Sequence, residues 1–359
     1  MGNRTRAVVG FAVALGLIGL FVYSVGFEDV ADALGETDGV SVALGTAAVF
    51  GSFAFRGMVW VRLLRAVGHG VGTARIYAVY LACTSVKFVT PYGQVSALPL
   101  MTYVLVSYSD ADYDDGFASV VSIDITSYPV PLVTFGVLSF VYFVVAGPAT
   151  DLGGYPVAFA ILLLVITVPL FFVMFARATV ERLAVFVAGV AARVVEALAR
   201  LAERVADFLV PGFVEGTAEG TLGFLAEENI RDRIAGFYAT LDSVVENRNN
   251  LGVAVVYAHA AWFLLALPLY FILPAFGESA GIGVVVFIVA LSRLGVLVPL
   301  PGGLGTVDIL LAGIISLVTG LSLPAATAAA LVYRLLTYWL PVFVGAVSLV
   351  YLLVATDRI

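Results

Sequence analysis

The chain has 359 residues, of which 62% are hydrophobic and 12% charged, with a mean hydropathy of +1.07. That balance excludes a large soluble core and predicts an all-α polytopic integral membrane protein, because runs of about 20 apolar residues are bilayer spans. A formal net charge of -7 argues against a nucleic-acid partner. Cys83, His69 and His259 are too few for an intrachain disulfide, a metal site or a Cys/His nucleophile, and no cofactor is expected.

In chain order, Arg4 and Arg6 precede an apolar run over 7–25, which its length and the spans that follow mark as an uncleaved first helix rather than a signal peptide. The acidic loop Glu28 to Asp38 leads to a second span at 40–55. Arg56, Arg62, Arg65 and Arg75 then define a basic segment that reads as an interfacial helix. Residues 76–107 are apolar but interrupted by T-P-Y-G-Q, Thr90 to Gln94, and by Pro99, which makes a first broken element. Spans three and four follow at 117–146 and 155–176. From Val180 to Val205, and again from Leu222 to Val245, apolar residues recur at helical spacing among charged ones, with Pro211 and Gly212 between. Residues 177–250 are therefore expected to form a cytoplasmic amphipathic helical hairpin, a lid or spacer.

The remaining chain holds a span at 251–276, a second broken element and a final run at 324–354. The second break, Arg293 to Asp308, reads R-L-G-V-L-V-P-L-P-G-G-L-G-T-V-D. Pro299 and Pro301 lack an N–H, and Gly302, Gly303 and Gly305 permit unusual backbone angles, so a straight helix is not expected here. In a bilayer, interrupted backbone is tolerated where it is buried in protein or lines a wet cavity, so the interruption itself marks a site.

Placing the amino terminus inside, with each broken element returning to its starting side, puts nearly all basic residues on the cytoplasmic face, as the positive-inside rule requires. Both termini are then cytoplasmic. Span two, the first broken element and span three now match span five, the second broken element and span six in spacing, with opposite direction of entry. The expectation is about six spanning helices plus two broken or re-entrant hairpins in an inverted repeat, with a binding site where the breaks meet. The chain divides at 1–176, 177–250 and 251–359 into an N-terminal membrane half, the cytoplasmic hairpin and a C-terminal membrane half.

Five charged residues fall inside the membrane region: Lys87, Asp124, Arg293, Asp308 and Arg334. Each costs about 2.5–3.5 kcal/mol at the centre of a lone helix and needs a partner or water. Lys87 and Arg293 each precede a break, and with helix N-termini after Gly93 and Gly305 they make a setting for an anionic headgroup. Pro91, Tyr92, Gly93, Gln94, Gly302, Gly303 and Gly305 complete the candidate lipid-binding set, with Tyr128 a further polar contact. The structural alternatives are ion pairs joining Arg293 to Asp308 or Arg334 to Asp124, a snorkelling Lys87, and Asp308 as a helix cap. His259 is read as a packed, hydrogen-bonded side chain.

P-G-G-L-G-T-V-D, Pro301 to Asp308, with Arg334 after an apolar helix, resembles the P-G-G-x-G-x-x-E motif and later arginine of flippase-like membrane proteins. These share the transmembrane domain of lysylphosphatidylglycerol synthases and are also called the UPF0104 family. T-P-Y-G-Q and Arg56 resemble that family's first-half motifs. Where the family continues Gly-Gly-Glu-Pro, this chain has Ser96, Ala97, Leu98 and Pro99, and Asp308 stands in place of glutamate.

The resemblance implies lipid handling. Some relatives flip aminoacylated phospholipids, and others are joined to polyprenyl-phosphate glycosyltransferase domains. Synthase members add a soluble catalytic domain, which is not expected here. The implied function is non-enzymatic binding and translocation of an anionic phospholipid or polyprenyl-phosphate lipid in the plasma membrane. The alternative is an accessory subunit for a lipid-linked glycosyltransferase or aminoacyl-lipid synthase, whose partner is that lipid-modifying enzyme. An enzyme would need Asp124 or Asp308 as a base. Without a G-x-x-x-x-G-K-[ST] motif, transport relies on a gradient or a partner.

Overall fold

The computed structural model describes residues 37–68, 70–90, 93, 96–146, 227–298 and 300–355, with residue 35 and scattered positions between 164 and 193. The span expected at 7–25 and all but two positions of that expected at 155–176 lie outside these, as do Pro91, Tyr92, Gln94, Pro211, Gly212 and Pro299. Among the described residues there is no strand, and 5 helices are long and apolar enough to cross a membrane. Many large apolar side chains face outward, Ile309, Val256 and Tyr351 among them. A surface of that kind suits lipid tails rather than water.

Helix α1 covers Gly39–Ala66 and begins where the Asp38 carboxylate accepts from the Val40 and Ser41 amides, both at 2.9 Å. It runs straight through Arg56, which corrects the expected interfacial helix. Val59, Val61, Leu63 and Leu64 beyond Arg56 are all buried, whereas an interfacial helix would keep one face wet. The chain meets no proline between Asp38 and the turn at Gly68, so nothing stops the helix at Phe55. At 28 residues it is about 42 Å long, more than the bilayer core, and Arg62 and Arg65 fall near its far end.

Helix α2 (Thr73–Val89) and helix α3 (Leu98–Ser107) form the first broken element. A Cβ on Gly93 would lie 1.8 Å from the Lys87 carbonyl oxygen, so only glycine fits at this position. The helix after this turn starts at Leu98, several residues past Gly93. Span three is two helices, α4 (Tyr113–Ser127) and α5 (Pro129–Ala146), bent at Tyr128, where Pro129 supplies no N–H.

Helix α6 (Glu227–Glu246) is the second amphipathic stretch and buries Tyr238, Leu241 and Val244. Arg177 donates to both oxygens of Asp242, and Arg231 pairs with Glu181, which ties the two stretches together. Helix α7 (Arg248–Ile272) ends in a 3-10 turn at Leu273–Phe276. Helix α8 (Ile282–Ser292) tightens into the 3-10 turn Arg293–Leu297. Another 3-10 turn, Pro301–Gly303, precedes helix α9 (Thr306–Thr319). Helix α10 (Leu323–Arg334) passes through a π turn, Leu335–Trp339, into helix α11 (Leu340–Ala355).

The packing repeats. Helix α1 lies on α7, α2 on α11, and α5 on α8; α3 lies on α4, and α9 on α10. Replacing α1–α5 by α7–α11 and the reverse maps these pairs onto one another. The sequence carries the same relation: Pro91 and Pro301, Gly93 and Gly303, Asp124 and Arg334, and Tyr128 and Tyr338 each stand at one constant spacing. Close approach holds the α2–α11 pair, where a Cβ on Gly345 would meet the Leu81 carbonyl at 2.4 Å and Ser348 donates to the Ala78 carbonyl at 2.9 Å.

Candidate functional site

Each half holds a buried cation, Lys87 in the first and Arg334 in the second, that the expected ion pairs do not describe. Lys87, in the last turn of α2, donates to Asp124 of α4. Its ammonium also stands 3.5 Å from the centre of the Tyr128 ring. Lys87 is buried, so it does not snorkel, and Asp124 is occupied by it rather than by Arg334. Opposite charge and an aromatic face together compensate an ammonium removed from water.

In the second half Arg334 makes the matching arrangement. Its Nε donates to Asp308 at 2.8 Å, its Nη2 donates to the Gly302 carbonyl at 3.2 Å, and its guanidinium lies 4.4 Å from the Tyr338 ring centre. Asp308 also accepts from the Gly305 N–H at 2.7 Å, so it caps α9 and pairs with Arg334 at once. Gly302 has φ +55°, and a Cβ there would stand 1.9 Å from the Tyr338 ring. That clash explains why a glycine sits between the arginine and its aromatic support. Tyr338 closes the two halves on each other, donating to the Phe88 carbonyl of the first element at 3.2 Å.

Arg293 is not paired with Asp308. It starts the 3-10 turn after α8, with its guanidinium 5.8 Å from the Trp262 ring centre, and its Nε has no hydrogen-bond partner among the described residues. Arg56, outside the expected set, is buried in α1 and donates through Nη1 to the Tyr128 hydroxyl at 3.1 Å. Its guanidinium shares the Tyr128 ring with Lys87, at 4.4 Å. The bend at Tyr128 thus sets one aromatic side chain between two cations from different helices.

A cavity of ≈ 10 Å³, about the room for one water, is lined by Arg56, Trp60, Tyr80, Thr84, Lys87, Asp124, Ser127 and Tyr128, among others. Gly93, Gly302, Gly303 and Gly305 shape the backbone of the two breaks. Pro91, Tyr92 and Gln94 lie outside the described residues. His259 is packed as read, its Nδ1 2.7 Å from the Val255 carbonyl and its ring beside Phe135. The candidate lipid-binding set omits Trp262, Tyr338 and also Arg56, which the sequence places in a basic segment and in the family's first-half motif. The signal for Arg56 was the proline-free run from Gly39 to Ala66, which carries one helix past it.

Residues 7–345 match the family described as the lysylphosphatidylglycerol synthase TM region. The chain belongs to that family. It is 26% identical over 347 residues to a UPF0104 membrane protein of Methanothermobacter thermautotrophicus, covering 94% of each chain. A second UPF0104 membrane protein of that organism is 33% identical over 102 residues, 28% of this chain and 30% of that one. This protein is thus a multi-pass membrane member of a family named for the membrane region of a lipid-modifying synthase. Of its paired cations, Arg334 belongs to the second family-like motif, with Asp308 serving it where that motif has glutamate, while Lys87 lies just before T-P-Y-G-Q and is served by Asp124.

Proposed function

We propose that this protein binds an anionic lipid by its phosphorylated headgroup, a phospholipid or a polyprenyl-phosphate sugar, and moves it across the plasma membrane without altering it chemically. The observation that carries this reading is the burial of Arg56, Lys87 and Arg334 among apolar helices, with Arg293 half-buried and its Nε enclosed; Asp124 and Asp308 pair with Lys87 and Arg334, and no ion pair to the other two occurs among the described residues. Intramembrane charge is expensive and marks substrate paths, and an excess of cations where two breaks meet favours an anion. The exposed apolar faces leave the tails in the bilayer. The family's name, tied to a lipid aminoacylated at its headgroup, supports the same substrate class.

Non-enzymatic action fits the state of the carboxylates. Asp124 and Asp308 are engaged by Lys87 and Arg334, and neither is left open as a general base. The repeated packing of the two halves suits alternating exposure of a central site, with the termini on the cytoplasmic side.

The test is headgroup translocation in proteoliposomes made from the host's own lipid extract, comparing wild type with Lys87→Met/Asp124→Leu/Arg293→Ala, which removes both cations without stranding Asp124. Movement that needs both cations supports the reading, and mass spectrometry of the moved species names the lipid. Movement no faster than in protein-free vesicles rejects it in favour of an accessory subunit, for which copurification would identify the partner enzyme.

A further inference from the structure

We infer that the phosphoryl group is seated by Arg56 and Arg293, a subsite that rests on the anionic-lipid reading above. Lys87 and Arg334 each have a carboxylate, whereas no ion pair to Arg56 or Arg293 occurs among the described residues. Arg56 Nε and Nη2 and Arg293 Nε are buried without acceptors among those residues. Arg293 faces the hydroxyl of Tyr333, a neutral neighbour, and its charged neighbours Arg334 and Arg56 carry the same sign. Two hydroxyls lining the cavity beside Arg56, those of Tyr80 and Ser127, are likewise buried and unpartnered among the described residues.

The unmet arginine groups can only donate, and the hydroxyls can donate as well. A neutral or cationic ligand leaves the excess charge in place. A phosphate diester or monoester brings negative charge and several acceptor oxygens, and guanidinium forks match that geometry where an ammonium does not. The water-sized cavity takes one phosphoryl oxygen. The rest of the group requires α1 and α4 to part, and the bend at Tyr128, which orients Arg56 through its hydroxyl, is the joint at which they can do so.

The experiment uses the full chain in an uncharged detergent and a chloride-free gluconate buffer. Dioctanoyl phosphatidylglycerol, dioctanoylglycerol, inorganic phosphate and chloride are titrated separately, with melting temperature recorded beside affinity. Phosphatidylglycerol is expected to bind and dioctanoylglycerol not to. Arg56→Gln and Arg293→Gln should each weaken phosphatidylglycerol binding about tenfold or more. Both should raise the melting temperature without ligand, because each removes an enclosed positive charge that has no carboxylate partner among the described residues. That rise also reports that the variants fold. Arg75→Gln, an exposed arginine, should change neither quantity.

Unchanged phosphatidylglycerol affinity in both variants, no binding of any probe by wild type, or stabilisation by chloride equal to that by phosphatidylglycerol overturns the seat. Phosphatidylglycerol that still binds the two variants and still crosses the bilayer leaves the lipid reading standing without the seat. Binding of inorganic phosphate through both arginines, without phospholipid binding, keeps the seat and overturns the lipid reading.

Discussion

Asp124→Leu should be among the most destabilising single changes in this protein. The substitution leaves the Lys87 ammonium buried, with the Tyr128 ring at 3.5 Å as its remaining support and with Arg56 on the same ring at 4.4 Å. Removing one partner of a buried ion pair costs about 3–5 kcal/mol. The cation–π contact with Tyr128 is present in the wild type as well and offsets none of this loss, and two cations already share that ring. A loss of about 3–5 kcal/mol is therefore expected. Lys87→Met should cost a similar amount by stranding Asp124. The double variant Lys87→Met/Asp124→Leu should return to within about 1 kcal/mol of wild type, because apolar residues of similar volume replace buried pairs at little cost. Reversible unfolding in mixed micelles, read by tryptophan fluorescence, gives the double-mutant cycle. Single effects that add to within about 0.5 kcal/mol would refute the pairing.

Gly302→Ala should destabilise the second break by more than the ~1–2 kcal/mol of a left-handed backbone, since its Cβ also strikes the Tyr338 ring at 1.9 Å; Gly313→Ala, in open space on α9, should be neutral or stabilising in the same unfolding assay. Tyr338→Phe keeps the ring under Arg334 but removes the hydrogen bond to the Phe88 carbonyl, and should cost about 0.5–1.5 kcal/mol while loosening the contact between halves, visible as faster amide exchange around Phe88. Hydrogen bonds from the Ser41 hydroxyl and amide lower the Asp38 carboxyl, and the Arg177 guanidinium lowers that of Asp242. Depressed folded values mean that these contributions are intact above the ordinary carboxylate range near pH 4 and fade as pH falls through the lowered values. A pH series on Asp38→Asn and Asp242→Asn should show a weaker acid dependence than wild type.

The two breaks were legible because proline and glycine act locally. Pro301-Gly302-Gly303 cannot continue a helix in any packing environment, and the positive φ at Gly302, Gly303 and Gly305 meets that expectation. The packed His259 and the cap made by Asp308 were legible for the same reason, since both satisfy a neighbour a few residues away. The extent of α1 was less so. Four arginines beyond Phe55 look like a membrane edge, yet Arg56 is enclosed by Trp60, Tyr80 and Tyr128, which come from its own helix and from distant positions in the chain.

By itself the sequence determined a polytopic helical membrane protein with two interrupted elements, because the length of an apolar run and the limits of proline and glycine are properties of single segments. It also supplied the family motifs. Partner choice among the buried charges was decided by tertiary structure alone. Asp124 meets Lys87 because α4 packs on α3 and α1, both of which pack on α2, and Asp308 meets Arg334 because α10 lies on α9, while Arg293 turns toward Trp262 of α7. Coulomb attraction acts over a few ångströms, and residues far apart in the chain come that close only through helix packing.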